Sequence, residues 1–250
     1  MRNVNIGIVG LGRLGRRHAL NLLASVPGAV LVAAASPVAE ERQWGSENLP
    51  GAAIYASLGE LLKHDGLDAV WLVTPTSLHV EQIEESLLAG KHVFCEKPID
   101  YDLKRVHEAI QAAKDAGVRL QIGFCRRFDH NHRAVYDMVR DGKVGKVNII
   151  KISSRDPEPP SIDYVKVSGG IFYDMMIHDF DMARFLAGDE VEEVYAQGSV
   201  LVDPEIGKAG DVDTAVVTLK FKSGTIATID NSRRAVYGYD QRVEVFGSKG

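Results

Sequence analysis

The sequence predicts an α/β chain in two parts: an N-terminal doubly wound parallel sheet, then an α+β domain built on an open, mainly antiparallel sheet. Three observations predict it. Short apolar strands alternate with amphipathic helices through the first half, a glycine loop stands at the first strand-to-helix junction, and after about residue 125 the alternation gives way to strands with tight turns. The division falls between a domain over residues 1–124 and one over residues 125–250.

The elements of the first half follow from period. "VNIGIVG" (4–10) is an apolar strand, 13–25 a helix, "AVLVAAAS" a second strand and 38–47 a second helix. The runs "AAIYA", "DAVWLV" and "KHVFC" then alternate with helical stretches near 57–63, 78–89 and 102–116, and "VRLQIGF" closes the series. Strands separated by helices of this length pair in parallel through right-handed crossovers.

The second half reads differently. A helix is expected around 131–141, a strand near 146–154, a Pro-rich loop "DPEPPSID", and a helix containing "DMMIHDFD" at 174–181. In "VDTAVVTLKFKSGTIATIDN" the alternating Ala215, Val217, Leu219 and Phe221 point inward, and Lys222-Ser223-Gly224 turns the chain into an antiparallel hairpin. "RVEVFGSKG" reads as the start of a second hairpin. A sheet left at that turn would expose an edge, so further carboxyl-terminal strands are expected beyond these 250 residues.

Composition narrows the partners. A formal charge of -5, with no basic run, argues against nucleic acid or an anionic membrane, and favours a small neutral substrate. No stretch is long and apolar enough for a membrane span, and the amino terminus "MRNVNIGIVG" lacks a signal h-region, so a cytoplasmic location is expected. Cys95 and Cys125 form neither a CxxC nor a ligand spacing and read as reduced structural thiols.

"GLGRLG" (10–15) follows the first strand directly and opens the first helix. Gly10 permits the tight turn, Gly12 lets backbone approach a pyrophosphate, and Gly15 lets helix and strand pack closely. The helix N-terminus offers N–H groups and a positive dipole end to the phosphates. At this junction the motif predicts a dinucleotide site of the Rossmann type, with Arg13 and Leu14 inside the loop as further contacts. The end of the second strand, where a carboxylate would hold the ribose of NAD, carries Ser36 instead. Arg13 could reach a 2′-phosphate, so the cofactor is NAD or NADP.

Ligands of such sheets lie outside the carboxyl ends of the strands. Three further strand ends stand out. "VTPTSLH" places Thr74, Pro75 and Thr76 at a turn, read either as a cap of the next helix or as a cofactor contact, with His79 closing the motif. "CEKP" places Glu96 and Lys97 after the fifth strand, the lysine toward the nicotinamide end of the cleft. "GFCRRFD" brings Arg126 and Arg127 to the same rim.

The stretch "DMMIHDFD" sets ionisable residues among Met175, Met176, Ile177 and Phe180. On an unbroken helix turning about 100° per residue, Asp174, His178 and Asp181 share one face, the first two at i and i+4. The apolar residues then pack, while Gly169 and Gly170 allow the polar line close to a ligand. A satisfied core histidine flanked by capping or solvated acids fits the same pattern. A metal site assembled with His130 and His132 is not expected, because no third ligand stands at a convincing spacing.

With GLGRLG, "TPTSLH", "CEKP", "GFCRRFD", "SSRDPEPP" and "GGIFYDMMIHDFDMARFL" in this order, the chain closely resembles the Gfo/Idh/MocA oxidoreductase family, and its inositol-oxidising branch in particular. The resemblance covers essentially the whole chain. It implies a Rossmann domain followed by an open antiparallel sheet whose face meets the nicotinamide, and a homotetramer built through those sheets. It also carries over Lys97, Asp174 and His178 as the catalytic set. Two features depart from the family pattern: Ser36 in place of an acid, and the absence of the last sheet strands.

The residue types suit the implied chemistry. Oxidising a secondary alcohol needs a base for the hydroxyl proton while hydride leaves carbon, and an imidazole titrates close to the required range. His178 is the expected base, Asp174 its orienting carboxylate, and Lys97 the charge that favours the developing alkoxide. Arg127, Asp156, Asp179 and Tyr237 are candidates for the substrate's other hydroxyls. The expected reaction is NAD(P)-dependent oxidation of a cyclic polyol, first of all myo-inositol to 2-keto-myo-inositol (scyllo-inosose). Another sugar or inositol isomer, or a non-catalytic NAD(P)-binding regulator, stands as the alternative.

Overall fold

The computed structural model describes residues 3–250; Met1 and Arg2, the start of the amino-terminal stretch read above, lie outside them. Two compact units divide the chain, Met1–Gly123 and Phe124–Gly250. Among the described residues no helix is long and apolar enough to cross a membrane.

The first unit alternates as expected: β1 (Val4–Val9), α1 (Arg13–Ser25), β2 (Ala29–Ala35), α2 (Ala39–Asn48), β3 (Ala53–Tyr55), α3 (Leu58–Leu61), β4 (Ala69–Leu72), α4 (His79–Leu88), β5 (His92–Cys95), α5 (Leu103–Asp115) and β6 (Leu120–Ile122). Every pairing is parallel, in the order β3-β2-β1-β4-β5-β6. Such a sheet is covered on both faces, which is why its strands are apolar throughout rather than alternating. Ile6, Ile8, Leu31 and Ala34 pack with Leu22 of α1 on one side; Val9, Ala33, Val70 and Leu72 pack with Val80 and Ile83 of α4 on the other. The order reverses at β1, so the segments after β1, β2, β4 and β5 gather at one sheet edge, where ligands bind in such folds.

The second unit runs α6 (His130–Arg140), β7 (Val147–Arg155), α7 (Ile162–Val167), α8 (Gly170–Asp174), α9 (Ile177–Ala187), β8 (Val191–Ser199), α10 (Pro204–Lys208), β9 (Thr214–Phe221), β10 (Ile226–Ser232) and β11 (Asp240–Gly247). The sheet order is β11-β7-β10-β9-β8, antiparallel except for β10 against β7. The β9–β10 hairpin turns at Lys222-Ser223-Gly224 as read, and Ala215, Val217, Leu219 and Phe221 are all buried. They pack with Ile150, Ile152, Ala227 and Ile229 against Ile171, Met175, Met176, Met182 and Leu186. The opposite face leaves Ile149, Val216 and Ile226 exposed. β11 pairs antiparallel with β7, from Asp240↔Arg155 to Gly247↔Val147, and stands at the edge of the sheet.

Candidate active site

In the first unit the glycine loop forms a cradle at the β1–α1 junction. Gly10 adopts φ 92°, and a Cβ there would lie 2.4 Å from the Val73 carbonyl oxygen. At Gly15 a Cβ would lie 1.9 Å from the Gly10 oxygen, so only glycine lets α1 pack at this height. Gly12 is different: a Cβ would meet only Glu41 Oε1, at 3.5 Å, an ordinary contact. Packing within the protein therefore does not require glycine at 12, whereas close approach of a ligand does. Gly12 is also the N-cap of α1, no side chain caps that helix, and its first turn holds no acid. The residues present thus fit a dinucleotide pyrophosphate at this terminus. Arg13 and Leu14 are exposed on the first turn of α1.

Ser36, fully buried, donates from Oγ to Glu41 Oε2 at 2.5 Å, and the same oxygen accepts from the Leu11 N–H at 3.2 Å. An acid therefore does stand at the end of β2. It arrives from the first turn of α2, five residues beyond the strand-end position where the sequence reading looked for it.

Thr74 also lies beside the loop, its Cγ2 3.2 Å from where a Gly10 Cβ would be. The capping alternative for this turn fails: neither the turn after Pro75 nor α4 has a side-chain cap, and Thr74 Oγ1 donates to Gln82 Oε1 at 2.6 Å. His79 is buried, with Nδ1 2.7 Å from the Pro98 oxygen and Nε2 2.9 Å from the Thr74 oxygen. It braces the β4 and β5 loops against each other, which corrects its reading as a cofactor contact. Glu96 likewise turns inward, to His18 Nε2 at 2.9 Å and over Gly123, while His18 Nδ1 accepts from Trp71 Nε1 at 3.2 Å. Its carboxylate supports the sheet rather than a ligand. Lys97 is half-buried on the segment after β5, with a cis peptide bond to Pro98.

In the second unit "DMMIHDFD" is not one helix. α8 ends at Asp174 and α9 begins at Ile177, because both Met175 N–H (3.1 Å) and Met176 N–H (2.8 Å) donate to the Ile171 oxygen. The second of these is an i→i−5 bond, a π-type turn of the kind often found at functional sites. Asp174 and His178 therefore stand on separate helices, and the i, i+4 geometry expected of them does not hold. The two methionines at the break are buried in the core, as the pattern required. Gly169 and Gly170, both at positive φ, serve Asp211 rather than a ligand: a Cβ on Gly170 would lie 2.6 Å from Asp211 Oδ1, which accepts from the Ile171 N–H at 3.1 Å.

Asp174 is the centre of a polar cluster. Its Oδ1 accepts from the Tyr164 hydroxyl at 2.9 Å and its Oδ2 from Arg233 Nη1 at 3.1 Å, while Arg233 Nη2 lies 3.7 Å from Asp211 Oδ2. Asp156 belongs to the same field: burial raises its pKa, Asp174 and Asp179 add to the rise, and Arg233 and Arg126 oppose it. His178 is half-buried and meets Phe124 edge to face, with ring centroids 6.4 Å apart.

Three of the substrate candidates are used elsewhere. Asp179 is fully buried, pairs with Arg126, and accepts from Ser154 Oγ at 2.7 Å and Asn231 Nδ2 at 2.9 Å. No surface of it is left for a substrate. Arg126, read at the rim, is itself buried by this pair. Arg127 forms a two-point pair with Asp181 at 2.6 and 2.7 Å and stacks on Phe185 at 4.7 Å. Tyr237 is 68% exposed and donates to Asp240 at 2.9 Å. His130 and His132 open α6, where Asp129 caps the helix and accepts from His132 Nδ1 at 2.9 Å. Of the residues that the sequence reading missed, Arg233 and Tyr164 had only a weak signal, as polar residues in loop-flanked segments of no recognisable period.

Residues 4–124 match the family described as an oxidoreductase family with an NAD-binding Rossmann fold, and residues 132–250 match the GFO/IDH/MocA C-terminal domain. The chain is 54% identical to a myo-inositol 2-dehydrogenase of Thermotoga maritima, over 99% of this chain and 74% of that protein. It is 47% identical to an inositol 2-dehydrogenase of Rhizobium meliloti, over 99% of this chain and 74% of that protein. Among solved structures, a scyllo-inositol dehydrogenase of Lactobacillus casei with bound NAD(H) and scyllo-inositol superposes with a TM-score of 0.91 at 36% identity, covering 100% of this chain and 75% of that one. With a glycine cradle that fits a dinucleotide and matches spanning both halves, this chain belongs to the GFO/IDH/MocA oxidoreductase family.

Proposed function

We propose that this oxidoreductase uses NAD to oxidise a secondary hydroxyl of a cyclic polyol, with myo-inositol to 2-keto-myo-inositol (scyllo-inosose) as the leading reaction. The observation that carries the reading is the similarity to the Thermotoga maritima myo-inositol 2-dehydrogenase along 99% of the chain. Lys97, Asp174 and His178 are all present beside it. A second reading, with scyllo-inositol as the substrate, is favoured by the Lactobacillus casei structure.

The chemistry assigned to these side chains is simple. His178 accepts the hydroxyl proton as the carbon–hydrogen bond breaks. Lys97 holds the alcohol oxygen and stabilises the charge that develops there. Asp174, fixed by Tyr164 and Arg233, supplies a carboxylate of set orientation that favours the protonated imidazole. The dinucleotide, when bound, supplies the hydride acceptor. Asp156, beside Asp174, is retained as a contact for a second hydroxyl. The carboxylates and Arg233 together suit a neutral ligand rich in hydroxyl groups. We further infer a cytoplasmic homotetramer, a reading supported by the exposed apolar positions Ile149, Val216 and Ile226 on the open sheet face; light scattering measures its mass directly.

The test is a panel of myo-, scyllo- and chiro-inositol and glucose with NAD and with NADP, followed by absorbance of the reduced dinucleotide. Turnover of an inositol with NAD is expected; no turnover of any polyol would overturn the reading and favour a non-catalytic regulator. Lys97→Ala and His178→Ala should each slow the chemical step roughly 100-fold or more while NAD affinity changes little. Equal loss of cofactor affinity in both would show the roles to be misassigned.

A further inference from the structure

The carboxylate at the end of β2 has no counterpart in the strand itself. We infer that Glu41, delivered from the first turn of α2 and held by Ser36, is the residue that recognises the adenosine ribose and sets the preference for NAD over NADP. The inference rests on the dinucleotide reading of the glycine loop and adds to it the residue that decides between the two cofactors.

Position carries the argument. Glu41 Oε2 accepts from the Leu11 N–H, the residue between Gly10 and Gly12, at 3.2 Å, and Oε1 is 3.5 Å from where a Cβ on Gly12 would be. The carboxylate thus lies against the same loop that fits the pyrophosphate, at the strand end where a ribose-binding acid is placed in doubly wound folds. Glu41 is half-buried rather than sealed in the core. Oε2 is committed to two donors, Ser36 Oγ and Leu11 N–H, which fixes the group without using Oε1.

Chemistry gives the sign. A carboxylate accepts hydrogen bonds from a ribose diol, and bonds to a charged acceptor are the stronger kind. A 2′-phosphate in the same place would set two anions together, which disfavours NADP. The nearby basic groups do not reverse this. Arg42 spends Nη1 on the Ser36 and Pro37 carbonyl oxygens, at 2.8 Å each, and Arg16 donates from Nε to the Leu11 oxygen at 2.9 Å while lying over Trp44. Arg13, exposed on the other side of Gly12 in sequence, makes no hydrogen bond to the Glu41 carboxylate among the described residues.

Ser36 acts through Glu41 and is a positioning residue. A purely structural account of the pair also exists, since an acid in the first turn of a helix is favourable on its own. The two accounts differ in what they move: a structural role changes stability, whereas a recognition role changes the ratio of two affinities.

The experiment measures dissociation constants of NAD and NADP by calorimetry, without substrate or turnover, for the wild-type chain, E41Q, S36A and the double variant S36D/E41Q, with thermal melts alongside. The wild type should bind NAD at least about tenfold more tightly than NADP. E41Q should lose roughly tenfold or more in NAD affinity, with NADP affinity unchanged or improved, so that the ratio collapses. S36A should show a smaller loss in the same direction. S36D/E41Q, which moves the acid to the strand end, should recover the preference. If E41Q melts normally and its NAD to NADP ratio equals that of the wild type, the inference is overturned while the dinucleotide site stands. If the wild type binds neither nucleotide, both fail. Should E41Q not fold, a S36A ratio equal to the wild-type value would overturn the inference by itself.

Discussion

Arg233, buried, pairs with the half-buried Asp174: the guanidinium, 1% exposed, donates from Nη1 to Asp174 Oδ2 at 3.1 Å. Its Nε and Nη2 make no hydrogen bond, so Asp174 receives the only directed contact this side chain gives among the described residues. With Asp211 at 3.7 Å and Asp156 in the same field, this guanidinium faces three carboxylates.

Arg233→Met should therefore strip Asp174 and Asp211 of a paired cation, at a cost of about 3–5 kcal/mol, measured by urea unfolding. Arg233→Lys keeps the charge but not the planar fork. It is expected to recover part of the stability and to lower kcat more than it raises KM, because Asp174 would be held less firmly, by Tyr164 alone of these two partners.

Asp156 gives a pH test. Burial, more than its charged neighbours, raises its pKa in the folded state, so the group favours the fold when protonated. That contribution is fully present below the ordinary carboxylate pKa and is lost as pH rises through the higher folded value. Asp156→Asn should accordingly raise Tm at neutral pH relative to wild type, and the gain should vanish as pH falls below the ordinary carboxylate range. A simultaneous rise in KM for the polyol would tie the same residue to the substrate.

The glycines of the first loop separate fold from function. Gly15→Ala places a methyl 1.9 Å from the Gly10 oxygen and should destabilise the chain by several kcal/mol, seen as a lowered Tm. Gly12→Ala meets nothing closer than 3.5 Å within the protein and should leave Tm nearly unchanged while NAD affinity, by calorimetry, falls at least about tenfold.

Asp179 and Tyr237 entered as equal candidates for substrate contact, and substitution should divide them. Asp179→Ala strands the buried Arg126 charge and should cost about 3–5 kcal/mol in urea unfolding. Tyr237→Phe removes one exposed hydrogen bond to Asp240 and should change stability by less than about 0.5 kcal/mol.

What the sequence disclosed was whatever depends on local period. The alternation of Ala215, Val217, Leu219 and Phe221, and the strand–GLGRLG–helix order, are properties of contiguous residues, and both hold in the fold. The candidate site was less legible, because its geometry depends on non-local partners. Asp179 sits in a polar-looking helix, yet its three partners Arg126, Ser154 and Asn231 come from three separate segments. Glu41 is not legible from the motif, because the acid comes from the next helix rather than from the strand end where the motif places it. Asp174 and His178 were placed on one face by assuming an unbroken helix, and nothing in "DMMIHDFD" announces the shared Ile171 carbonyl that breaks it.

That wide turn holds one residue more than a regular helical turn would. Removing one residue at Met175–Met176 would let the two segments run together as a single regular helix, with Met182 and Leu186 kept in the hydrophobic layer. The same deletion inside α9, ahead of those side chains, would turn everything downstream by about 100° and carry them out of it. The chain should therefore accept the loss of a single amino acid at the break far more readily than within α9.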